Sequence, residues 1–240
     1  MTELSLLFGD TYRINNTISI RQPTFAELKE YDDVKYLNMV KTLCSTPADC
    51  MALLDDIGLD FEQISDFDLF SMLIQNFTVK DTSILFGENL DFSKMSLKFD
   101  DEIQENVLYG ITSKGQLIKI DSYTYMLIVD FLRECHGLTP NRTRAGNEFT
   151  KRWMIDDQRE EIERNKNTKQ KSFFKDVIPK MVCTAGFPYD YKSIQNITIA
   201  QLIVSMKSVL HEKSFTHLMN GIYSGTVDSS KLTSDEKRWL

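Results

Sequence analysis

The sequence predicts a predominantly α-helical α+β protein: a helical body with a small antiparallel β insertion and an N-terminal hairpin. Three observations predict it. Apolar residues recur at i, i+3, i+4 and i+7 behind good cap residues along much of the chain. Between Met95 and Ile120 the period drops to two. Gly (10) and Pro (5) are scarce among 240 residues, so long irregular or collagen-like stretches are excluded.

The first element predicted is a hairpin. Tyr12-Arg13-Ile14 and Thr17 to Ile20 flank Asn15-Asn16, and asparagine tolerates the positive φ of a tight turn. Thr24 and Glu27 form a capping box at a helix start. Val34, Leu37, Val40 and Cys44 continue at helical spacing. Thr46-Pro47-Ala48-Asp49 supplies a cap, a first-turn proline and an acid. Cys50, Leu53, Leu54 and Ile57 make the next stripe, and Gly58 stops it. Ser65 caps a further helix with Phe70, Leu73, Ile74 and Phe77 on one face.

Residues 82–121 are expected to be the β insertion, with three or four strands. Leu97 and Phe99 alternate with Lys98 and Asp100, Val107, Tyr109 and Ile111 repeat the pattern, and Ser113-Lys114-Gly115 turns the chain into Leu117–Ile120. A helix then runs from Ser122 to Cys135, and a charged, solvated one occupies 146–170. A short helix follows over 172–185. The last helix carries Ile199, Leu202, Ile203, Met206, Val209 and Leu210, and Gly221 and Gly225 end it. These elements divide the chain into 1–81, 82–121 and 122–240, read as one compact unit. Leu53, Leu54, Ile57, Phe70, Leu73, Leu202, Ile203 and Met206 are the expected core.

Charge is unevenly spread. The formal net charge is −7, yet residues 1–136 carry 23 acidic and 11 basic residues while 137–240 carry 12 and 17. Such asymmetry fits two domains or head-to-tail stacking of copies. Four cysteines without a C-x-x-C pair are too few for a disulfide scaffold and fit a reducing cytosol. The N-terminus lacks the basic region of a signal peptide, and no run approaches 18 apolar residues, so no membrane partner is expected.

Catalytic constellations are not visible. The three histidines, His136, His211 and His217, have no ligand spacing, and no phosphate-cradling glycine motif occurs. The acids from Asp55 to Asp68 lack calcium-loop spacing and sit where helix starts want them. The expectation is therefore a non-enzyme with no cofactor and no metal. Arg142, Arg144, Lys151 and Arg152 form a candidate basic surface, but nucleic acid is not the expected partner of an acidic chain. Phe187, Tyr189 and Tyr191 cluster within five residues. With Ile222 and Tyr223 they are the candidate partner interface, because aromatic residues are enriched in interface cores.

Several segments carry a resemblance: Gln22-Pro23-Thr24, Ser45–Asp49, Asp55–Phe61, Cys183–Tyr191 and Met219–Asp228. Together the chain resembles a family of proteins from tailed phages of Gram-positive hosts, similar in kind to tail assembly chaperones encoded beside the tape measure protein. That resemblance implies a morphogenesis protein of the host cell cytoplasm. Its partner would be the tape measure or another tail protein, or further copies of itself. A virion component, such as a connector or baseplate part, and an effector that inhibits a host enzyme or defence system are the alternatives.

Overall fold

A computed structural model describes residues 3–233. Helix accounts for 57% of it, with two small antiparallel sheets, so the chain is a predominantly helical α+β protein.

The chain starts with α1 (Glu3–Leu7) and a minimal hairpin, β1 (Tyr12–Arg13) and β2 (Ser19–Ile20). Positive φ at Asn15 and Asn16 is not what turns it. The Asn15 side chain accepts the amides of Thr17 and Ile18 at 2.9 and 2.8 Å and closes a longer loop. The Thr24–Glu27 capping box then opens α2 (Phe25–Tyr31). Asp32, at φ 89°, ends α2, and its carboxylate caps α3 (Asp33–Cys44).

Thr46 and Asp49 cap a short 3-10 turn that leads into α4 (Met51–Asp56). Ser65 caps α5 (Asp66–Leu73). Next comes α6 (Val79–Phe86), capped by Thr78 and Asp81. The β insertion therefore does not begin at residue 82. Residues 82–86 finish a helix, two 3-10 turns follow, and the strands begin at Ser96. The Thr78–Asp81 capping box was the local signal for this helix.

The sheet holds three strands in the order β3 (Ser96–Asp100), β4 (Glu105–Ile111) and β5 (Leu117–Ile120). Leu108 stands opposite Ile120 and Gly110 opposite Ile118, and these lie on the core face. A Cβ at Gly110 would stand 2.9 Å from the Met95 side chain, so only glycine lets Met95 close that face.

Helices complete the body: α7 (Ser122–His136), α8 (Glu148–Asn165), α9 (Phe173–Val182) and α10 (Ile199–Tyr223). The main core draws on distant parts of the chain, from Leu6 and Tyr36 through Phe92 and Leu108 to Leu132, Phe174 and Leu202. A second, smaller cluster of Met51, Leu54, Phe61, Leu69 and Ile155 joins α8 to α4 and α5.

The expected core was correct at Leu54, Phe70 and Leu202, which are buried. Leu73, Ile203 and Met206 are half-buried. Leu53 and Ile57 are exposed at 47% and 53%. The helix α4 is only six residues long and covers one side, so the stripe was read one position too wide. Met51, Ala52 and Leu54 turn inward instead.

Candidate functional site

An apolar groove of about 280 Å³ lies between α3 and α10. Leu37, Val40 and Lys41 of α3 form one wall. Ile199, Leu202, Ile203, Met206 and Lys207 of α10 form the other. His136, Gly137 and Leu138 close one end, and Phe173 and Phe174 of α9 another.

Local sequence builds each wall. The helix α7 stops because Gly137 takes a left-handed φ of 62°, and the Leu138 amide bonds back to Arg133 O at 2.9 Å. This exposes the bend to α10, where a Cβ at 137 would touch Ile203 Cδ1 at 3.4 Å. Ser172 caps α9, accepting from the Lys175 amide at 3.1 Å, and its hydroxyl donates to the Asp33 carboxylate at the start of α3. Phe174 packs edge-on against Phe25, with ring centroids 4.9 Å apart. Thr198 and Gln201 form the capping box of α10, and Gln201 Nε2 donates to Leu7 O at 2.8 Å.

The groove's electrostatics are one-sided. Lys41 and Lys207 are exposed, make no ion pair among the described residues, and no carboxylate joins them in the lining. His136 adds no charge. Burial pushes its pKa down to about 4. Its Nδ1–H donates to Leu132 O at 2.7 Å, so Nε2 accepts the Tyr36 hydroxyl at 2.8 Å. Both ring nitrogens are engaged, which leaves no free imidazole nitrogen for proton transfer at the groove.

A larger concavity, about 920 Å³, covers the outer face of the three-stranded sheet. It is a shallow face whose central charges already answer one another. Asp100 accepts from the Tyr109 hydroxyl at 2.5 Å and from Lys119 Nζ at 3.4 Å. The groove between α3 and α10 is the better candidate site, because it is more enclosed and apolar and its cations are unanswered.

The residues singled out by sequence fall elsewhere. Phe187 and Tyr189 pack edge-on against each other and are half-buried on the main core. Two of the three loop aromatics therefore hold the fold. Tyr191 and Tyr223 are exposed at 56% and 79%, and Ile222 is half-buried. None of the five lines the groove. The groove residues were legible only as helix stripes. Leu37 and Val40 were read only as part of a helix-period stripe, and nothing in the sequence marks Lys41 or Lys207 as facing each other across a gap.

Three of the four residues of the candidate basic surface are engaged within the chain. Arg142 pairs with Asp66 at 2.7 Å and Lys151 with Asp60 at 2.6 Å. Arg152 reaches Asp55 at 3.4 Å. Arg159 bridges Asp55 and Asp56 at 2.9 and 2.7 Å. Arg144 is exposed and makes no ion pair among the described residues. The acids from 55 to 66 are thus the counter-surface of α8. Lys151 holds the Asp60 carboxyl below its usual range, and the two acids hold the Arg159 guanidinium more firmly protonated. Gln158 completes the joint, accepting from the Ala52 amide at 2.8 Å and donating to Asp49 O at 3.2 Å.

Burial raises the Cys44 thiol to about 12 and also lifts Cys50 and Cys135, so these three are inert packing groups at neutral pH. Among the described residues no group of three or more His, Cys, Asp or Glu could hold a metal ion. None of the described helices is long and apolar enough to cross a membrane.

Fold and groove together give a predominantly helical α+β body with an apolar cleft edged by two lysines. Residues 165–240 match a phage-associated domain family, described as the YomV second domain. The match begins at the last residue of α8 and takes in α9 and α10, one wall and one end of the groove. It supports a phage protein. No curated protein and no solved structure matches the chain.

Proposed function

We propose that this chain is a non-enzymatic phage morphogenesis protein that holds an apolar helix of a phage partner in the groove between α3 and α10. A tail assembly chaperone acting on the tape measure protein is the role that fits best. The observation that carries this reading is the groove itself: two helical walls lined by apolar side chains, Met206 among them. Amphipathic helices dock into such clefts by their i, i+3, i+4 and i+7 residues, and methionine adapts to irregular partners. The phage-associated match over α9 and α10 supports the setting.

The head-to-tail stacking that the charge asymmetry invited has a competing explanation. The acids of 55–66 and the bases of 142–159 neutralise each other inside one chain. A phage partner helix is therefore the better occupant than a second copy.

The test is co-purification of the tagged chain from infected cells, with mature virions assayed for the same chain. Recovery of the tape measure protein together with absence from virions supports the chaperone. Presence in virions makes the chain a structural component. Recovery of a host protein alone makes it an effector.

A further inference from the structure

The groove's charge points to the chemistry of what enters it. The whole chain has 35 acidic against 28 basic residues, yet the only ionised side chains lining this cleft are Lys41 and Lys207. They come from opposite walls, α3 and α10, and both are exposed. Elsewhere on the surface some cations find carboxylates and others, such as Arg144, make no ion pair among the described residues. Lys35 pairs with Asp81 at 2.8 Å, Lys151 with Asp60 at 2.6 Å and Lys94 with Asp91 at 2.8 Å. Lys41 and Lys207 are placed where no carboxylate of the described chain answers them.

We infer that the groove selects an amphipathic helix whose apolar anchor residues are flanked on both sides by Asp or Glu. This inference rests on the partner-helix reading of the groove and specifies the partner's charge. The volume of about 280 Å³ admits large apolar side chains but not a helix backbone. The partner helix then lies across the opening with its anchors inserted, and its flanking carboxylates meet one lysine on each wall. The lysine heads stay in water while their stems extend the apolar rim. The carboxylates therefore contribute orientation and partner choice more than affinity. A helix with basic flanks is rejected by like-charge contact at both walls. The neutral His136 at the groove's end leaves the two lysines to set the sign.

The experiment titrates the full chain with designed helical peptides sharing one leucine stripe and differing only at the flanking positions, which carry Glu, Gln or Lys. Fluorescence anisotropy at low salt reads the affinities, and decanoate serves as a non-peptide probe of the same cleft. The Glu peptide should bind about tenfold tighter than the Lys peptide, with Gln between, and the preference should shrink at high salt. The double variant Lys41→Glu, Lys207→Glu should invert the order, because both side chains are exposed and their replacement leaves the fold intact.

Equal affinity of all three peptides, each abolished by Met206→Glu, overturns the charge rule and leaves the groove reading standing. An order unchanged in the double variant also overturns it, since the charge is then sensed elsewhere. Failure of every peptide to bind overturns both readings, and saturable decanoate binding without peptide binding makes the cleft a site for free amphiphiles.

Discussion

The Tyr36 hydroxyl donates to His136 Nε2 across 2.8 Å of protein interior, joining the first turn of α3 to the last residue of α7. A buried imidazole held this way is a neutral structural group. Its folded pKa of about 4 lies below the ordinary 6.5, so the unfolded chain binds the extra proton first as pH falls. Stability from this group is full above about pH 6.5 and is lost as pH drops towards 4. The loss is about 3 kcal/mol once both states are protonated. Urea titrations of wild type and His136→Gln between pH 7 and 4 check this. The variant should be less stable at pH 7, and its stability should depend less on pH across that window.

Adjacent leucines of α4 should behave oppositely. Leu54 is buried in the smaller cluster, so Leu54→Ala should cost about 2–5 kcal/mol. Leu53 is exposed, so Leu53→Ala should change stability by less than about 0.5 kcal/mol. Chemical denaturation of the two variants measures the difference.

Docking of α8 should be the salt-sensitive part of the fold. Ile155 is its only buried residue, half-buried Met154 packs beside it, and the rest of the joint is Gln158 and partly exposed ion pairs. Raising salt screens such pairs. Hydrogen exchange should therefore quicken across Glu148–Asn165 in high salt, with α7 unchanged. Charge reversal at Arg159 should reproduce the effect in low salt.

Removing the cap of α10 should cost about 1 kcal/mol. Thr198 accepts from the Gln201 amide at 3.3 Å and donates to Gln22 at 3.4 Å. Thr198→Ala should lower the thermal midpoint, and Thr198→Ser should restore most of it.

The capping boxes made much of this fold legible in the sequence. Thr24 with Glu27 and Ser65 with Asp68 act as their spacing says, because capping is local chemistry. The strands of residues 96–120 were equally plain from alternation. The failures were tertiary. Ile57 kept helical spacing with Leu54, but nothing packs over a six-residue helix on that side. Tyr189 looked like an interface residue, and Phe187 and the main core claim it instead. Replacing Tyr189 with Ala should therefore lower stability, whereas replacing exposed Tyr191 should not. The groove could not be read at all, because it depends on how α3 and α10 diverge above Gly137. The charge asymmetry was visible, but the pairing of Arg159 with Asp55 and Asp56 required the fold.

The most direct measurement is co-expression of this chain with the tape measure protein of the same phage, comparing wild type with Met206→Glu. Met206 is half-buried on the groove wall, so the variant should keep its melting temperature within a few degrees. Wild type should co-purify with the tape measure protein in soluble form, and Met206→Glu should not. Failure of wild type to retain it, or equal retention by the folded variant, would contradict the account.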